Sequence, residues 1–128
     1  MASVKECVAK ALETLNIFRN NQRKIILKEQ QEVAVEELLL GKDVLAVLPT
    51  GFGKSMIFTI FVLARQEMLK RLEKDAATCV LIISPLASII SNQIAEMQSL
   101  GFNALELSDE TLTEVIYSPP QFSYCCVY

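Results

Sequence analysis

The 128-residue chain carries 12 Lys and Arg against 15 Asp and Glu, a net charge of −3 with a pI near 5.0. That balance excludes a stand-alone electrostatic binder of nucleic acid, so any such contact has to be local and shaped. Hydrophobic residues make up 52% and aromatics only 7%, which points to strands covered on both faces, as in parallel α/β architecture, around one modest core. The richest apolar run, residues 56–64, contains Thr59 and ends at Arg65, well short of the roughly 20 residues that span a bilayer. Glu6 and Glu13 within residues 1–15, with no basic start, argue against a secretory or transit peptide. The four cysteines form no Cys-x-x-Cys pair and the chain has no histidine, so zinc-ligand spacing is absent and free thiols in a reducing, intracellular setting are expected.

Taken in chain order, Ser3-Val4-Lys5-Glu6 matches a capping box, and Val4, Val8, Leu12 and Leu15 fall on one face of a first helix. A basic, polar stretch at 19–24 leads to a second helix over 29–40, with Ala34, Val35, Leu38 and Leu39 as its stripe and Gly41 as its stop. Residues 43–48 then form a short continuous apolar run, the signature of a buried parallel strand. A turn over 49–53 opens a long helix reaching about residue 74, apolar nearly all round in its first half and charged in its second. Residues 78–83 repeat the buried-strand signature. Ser84-Pro85 caps a helix carrying Leu86, Ile89, Ile90, Ile94 and Met97 as far as Gly101. Residues 103–107 read as a third strand and 115–117 as the start of another, broken by Ser118-Pro119-Pro120, whereas 121–128 show no period. The alternation of strand and helix predicts one α/β unit with right-handed crossovers.

Leu48-Pro49-Thr50-Gly51-Phe52-Gly53-Lys54-Ser55 sits at the strand-to-helix turn. A helix start presents unpaired N–H groups and a favourable dipole for anions. Gly51 and Gly53 allow the backbone to approach a phosphate closely, Lys54 reaches the β and γ phosphates, and the Ser55 hydroxyl can face Mg²⁺. This is a phosphate-binding P-loop, with Leu48 where the general pattern has glycine.

Read together, three blocks resemble the RecQ-like DNA helicases of superfamily two. The P-loop is similar to that family's Met-Pro-Thr-Gly-Gly-Gly-Lys-Ser. Upstream, Leu27-Lys28-Glu29-Gln30-Gln31-Glu32 resembles the adenine-reading Phe-Arg-Pro-x-Gln, with Lys28 in place of arginine and Glu29 in place of proline. Downstream, Ser84 to Gln93 resembles Ser-Pro-Leu-x-Ser-Leu-Met-x-Asp-Gln, with Asn92 in place of aspartate. The resemblance implies a P-loop NTPase fold of RecA-like type, a partial parallel sheet flanked by helices behind N-terminal helices. It divides the chain into a helical extension (1–26), a partial ATP-binding domain (27–118) and a divergent tail (119–128). It further implies ATP and Mg²⁺ as cofactors. Lys28, Gln31, Pro49, Thr50, Gly51, Phe52, Gly53, Lys54 and Ser55 would hold nucleotide, with Lys54 catalytic and Ser55 on the metal. Ser84, Pro85, Leu86, Ser88 and Gln93 would lie along a DNA backbone, and the setting would be nuclear. The family activity is ATP-dependent 3′ to 5′ unwinding of duplex DNA.

Asp109-Glu110 is the one Asp-Glu pair in the chain, and it follows the alternating Leu105-Glu106-Leu107-Ser108 instead of an apolar strand. The acidic motif and second lobe that ATP hydrolysis requires are therefore missing, and the expectation is a truncated form that binds ATP or ADP, touches single-stranded or duplex DNA weakly, and turns over little. Two readings compete. A small nucleotide kinase would need acceptor-lid arginines, for which only Arg65 and Arg71 are at hand on the helix after the loop. A non-catalytic interaction protein would compete with a full-length helicase for partners. Cys125-Cys126-Val127-Tyr128 is a poor prenylation box.

Overall fold

Ser3 starts the first helix as the sequence dictates: its hydroxyl accepts from the Glu6 N–H at 3.1 Å while the Glu6 carboxylate accepts from the Ser3 N–H at 3.2 Å. The computed structural model describes residues 3–19, 23–49, 53–74, 78, 80–84, 87–107 and 124–127. These fall into two compact units, Met1–Ala76 and Ala77–Tyr128, where composition led us to expect one.

The first unit is helical: α1 (Val4–Phe18), α2 (Glu29–Leu39) and α3 (Lys54–Arg71). α3 packs on both of the others, and its buried residues Ile57, Thr59, Ile60, Val62 and Ala64 point all round the axis, as its unbroken apolar sequence requires. The buried face of α1 consists of Cys7, Val8, Ala11 and Leu15, so the small residues Cys7 and Ala11 take places that the apolar row had assigned to Val4 and Leu12, both half-buried. Burial pushes the Cys7 thiol up from its ordinary range. The last turn of α3 is tied to the first turn of α1 through Arg71, which donates to Glu67 at 3.0 Å and to Glu6 at 3.2 Å. Its guanidinium is held above its usual pKa chiefly by the Glu67 bond.

α2 stops at Gly41 in a left-handed conformation, with the Lys42 N–H reaching back to Glu37 C=O and the Gly41 N–H to Leu38 C=O; this double bond pattern is the Schellman stop. α3 closes in the same way on Glu73, whose φ of 54° is costly for a residue with a side chain.

Residues 43–48 correct the sequence reading. They form no strand; Leu45 is 92% and Val47 86% exposed, and the segment lines a groove of about 510 Å³ beside Val33 and Ala34 of α2. An apolar run specifies that a segment can be covered on both faces, but a strand also needs neighbours to accept its N–H groups, and the described part of this unit contains no strand.

The second unit holds β1 (Val80–Ile83), α4 (Ala87–Ser99), β2 (Ala104–Glu106) and β3 (Tyr124–Val127). All pairing is parallel, in the order β1-β3-β2, with Val80 and Ala104 both opposite Tyr124. The central strand thus comes from the stretch that showed no period. Four residues are too few to display one, and a strand flanked on both sides reads as a β-prone run, here Tyr-Cys-Cys-Val, instead of an alternation. α4 buries Ile90 and Met97, ends with the Phe102 N–H on Met97 C=O, and lends the Gln98 amide to Ala104 C=O at 3.0 Å. The expected strand over 115–117 lies outside the described residues.

Because Leu15 is fully buried on α1, a helix that packs on both of the others, Leu15→Ala should lower unfolding stability by about 2–5 kcal/mol. Ile17→Ala, at a position 68% exposed, should change it by less than about 0.5 kcal/mol. Urea unfolding followed by far-ultraviolet circular dichroism measures both.

Candidate functional site

The start of α3 is built by Gly53. This residue is the N-cap, with φ 86° and ψ 42°, and its carbonyl accepts from the Met56 N–H at 3.0 Å. The left-handed backbone turns the chain into the helix, whose start is where N–H groups lack intrahelical acceptors. Lys54 follows as the first helical residue with its side chain exposed, and Ser55 is half-buried. The Ser55 carbonyl accepts from the buried Thr59 hydroxyl at 2.9 Å, which satisfies an otherwise costly buried group. Before the turn, Leu48 is half-buried and Pro49 exposed; Thr50, Gly51 and Phe52 lie outside the described residues.

Gln31 meets this turn from α2. It is only 5% exposed. Its Oε1 accepts from the Lys28 N–H at 2.9 Å, closing half of a capping box at the start of α2, and its Nε2 donates to Gly53 C=O at 2.9 Å. The fit is tight: a Cβ on Gly53 would stand 2.8 Å from Gln31 Nε2. Glycine at 53 is favoured by its left-handed dihedral, and a Cβ there would also force the Gln31 amide to shift. The structure thus joins Lys28, Gln31 and Gly53 directly, with Lys54 and Ser55 next in the chain. Lys28 itself is exposed at the α2 N-cap.

The second unit carries the Ser84–Gln93 block by itself. Ser84 is buried ahead of α4, Ser88 is exposed in its first turn, and the Gln93 Oε1 is buried with no hydrogen-bond partner among the described residues. Pro85 and Leu86 lie outside the described residues. Ser88 is therefore, with Ile89, Ser91 and Asn92, one of the exposed described residues of this block.

Sequence reading missed Asn16. Its amide oxygen accepts from the Ile25 N–H at 2.8 Å and its amide nitrogen donates to Ile25 C=O at 3.2 Å, fixing the strand of chain that leads into α2. The signal was present: Asn16 continues the four-residue row Val4, Val8, Leu12, and a polar residue on an apolar row asks for a partner.

Residues 28–118 match the family model described as DEAD/DEAH box helicase. Among curated proteins, the chain is 28% identical over 99 residues to the "Putative ATP-dependent DNA helicase Q1" of Caenorhabditis briggsae, covering 77% of this chain and 14% of that protein. It is 34% identical over 74 residues to the "Probable ATP-dependent DNA helicase RecS" of Bacillus subtilis (strain 168), covering 58% and 13%. To the "ATP-dependent DNA helicase RecQ" of Pasteurella multocida (strain Pm70) it is 32% identical over 88 residues, covering 68% and 12%. The chain thus spans 12–14% of the length of these relatives. With a family match across most of its residues, a glycine-built helix start and RecQ-type relatives, this chain belongs to the DEAD/DEAH box helicases and is RecQ-like among them.

Proposed function

We propose that the first unit binds ATP or ADP at the start of α3, as the nucleotide-binding part of a RecQ-like helicase. The observation that carries this reading is the Gln31–Gly53 hydrogen bond, which couples the residue suited to an adenine edge to the loop suited to phosphates. A glutamine amide carries both donor and acceptor, the pattern a purine edge requires; in this structure that amide is nearly buried and already spans Lys28 N–H and Gly53 C=O, so reading a base entails its re-pairing. Lys54 supplies a mobile positive charge for the terminal phosphates, and the N–H groups of the first turn of α3 supply neutral donors.

Magnesium fits this arrangement. Ser55 offers one hydroxyl, and the described residues hold no cluster of three His, Cys, Asp or Glu that could make a protein cage, which suits an ion that keeps waters and binds mainly through phosphates. Bound there, the ion would neutralise charge on the phosphates. The chain's own residues cradle and orient: Gly53 gives close approach, Lys54 balances charge, and Gln31 holds the turn in place.

In the same reading, residues 43–48 take their place in a RecA-like parallel sheet when a neighbouring strand is supplied. Ser88 and the start of α4 make weak, sequence-independent contacts to a single-stranded or duplex DNA backbone, in an intracellular, nuclear setting. The relatives' names describe ATP-dependent DNA helicases; in this reading the described residues supply the nucleotide-binding part of such an activity.

Calorimetric titration of the folded chain with Mg-ADP is expected to show one site. Lys54→Ala should weaken it by about 10- to 100-fold, the loss of a charge-assisted contact. Gly53→Ala should weaken it too, and should cost about 1–2 kcal/mol of stability from the left-handed dihedral alone. Gln31→Ala should reduce the preference for ADP over GDP. A titration that shows no uptake by wild type, or equal uptake by Lys54→Ala, contradicts the proposal.

A further inference from the structure

α1 precedes the residues matched by the family model, 28–118, yet a side chain from it holds the segment that delivers Gln31. Asn16 and Ile25 exchange two hydrogen bonds, Ile25 N–H to Asn16 Oδ1 at 2.8 Å and Asn16 Nδ2 to Ile25 C=O at 3.2 Å, both partly buried. A side-chain amide that pairs with both backbone groups of one residue imitates a rung of an antiparallel ladder, and so fixes the position and rotation of the chain there. Three residues later the Lys28 N–H donates to Gln31 Oε1 at 2.9 Å, and Gln31 Nε2 donates to Gly53 C=O at 2.9 Å. The route from α1 to the phosphate turn is therefore a short relay of hydrogen bonds in one unit, with α1 itself packed on α3.

We propose that Asn16 is a positioning residue for the purine base. By locking Ile25, it sets the strap 23–28 and with it the Lys28 N–H that holds the nearly buried Gln31 amide against Gly53, while the contacts to phosphate remain those of Gly53, Lys54 and Ser55. The inference rests on the nucleotide reading given above and goes beyond it by assigning base selectivity to a helix outside the matched region. Asn16 touches no nucleotide; its effect passes through Ile25, Lys28 and Gln31.

The test uses the full chain as wild type, Asn16→Ala and Asn16→Asp, titrated with Mg-ADP, Mg-GDP and magnesium tripolyphosphate. Asn16→Asp retains the acceptor for the Ile25 N–H but sets a second oxygen against Ile25 C=O, so it should behave like Asn16→Ala and not rescue. Both variants are expected to lose about five- to tenfold in affinity for ADP and to narrow the ADP-over-GDP preference, the scale of one or two lost hydrogen bonds. Tripolyphosphate binding should stay within about twofold of wild type. Equal losses for all three ligands would make Asn16 a general stabiliser and overturn the proposal, as would an unchanged ADP preference. Should the variants fail to fold, amide exchange on wild type decides: Mg-ADP should slow exchange at the Ile25 N–H and tripolyphosphate should not, and identical exchange with both ligands would overturn it. If wild type binds no Mg-ADP the nucleotide reading falls; if it binds and the variants keep their selectivity, only the role of Asn16 falls.

Discussion

The hydrogen bond from Gln31 to the Gly53 carbonyl is the contact on which the candidate site depends. It brings a nearly buried amide onto the turn that opens α3, so close that a Cβ at Gly53 would displace it. Residues 22 positions apart in sequence, one on α2 and one at the cap of α3, are thereby held together, and the left-handed Gly53 turns the chain into α3. Losing either partner would leave a buried polar group unpaired, which costs more than the bond contributes when made.

Around that contact the first unit is arranged as support. The first half of α3 is apolar nearly all round and the helix packs on both α1 and α2, and the pairing of Arg71 with Glu6 ties the last turn of α3 to the first turn of α1. Rigid helices held in this way keep a helix start preorganised, so that a ligand need not order the backbone when it binds. The apolar segment 43–48 is the unsatisfied part of the arrangement. Its large side chains stand in solvent, and a segment of that kind favours any neighbour that can accept its hydrogen bonds and cover its faces.

Local rules were the legible part of the sequence. The Ser3–Glu6 capping box, the stop at Gly41, the helix beginning at Lys54 and the strands at Val80–Ile83 and Ala104–Glu106 are each specified by a few adjacent residues, and each is present. What escaped depends on partners distant in sequence. Residues 43–48 carry strand composition without a strand neighbour, and Tyr124–Val127 forms the middle of a sheet because two other strands flank it. Within the site, spacing alone marked Gly53, Lys54 and Ser55 as a helix start, and family resemblance marked Gln31. Neither could tell that Gln31 is buried against Gly53, or that Asn16 holds Ile25, since each contact joins a helical side chain to backbone outside its own helix.

The most direct measurement of the central claim is a nuclear magnetic resonance titration of the isotope-labelled chain with Mg-ADP, following the backbone amides of residues 53–56 and the side-chain amide of Gln31. The account predicts that these resonances shift together and saturate at one equivalent. Saturable binding that leaves them unmoved, or no binding at all, would contradict it.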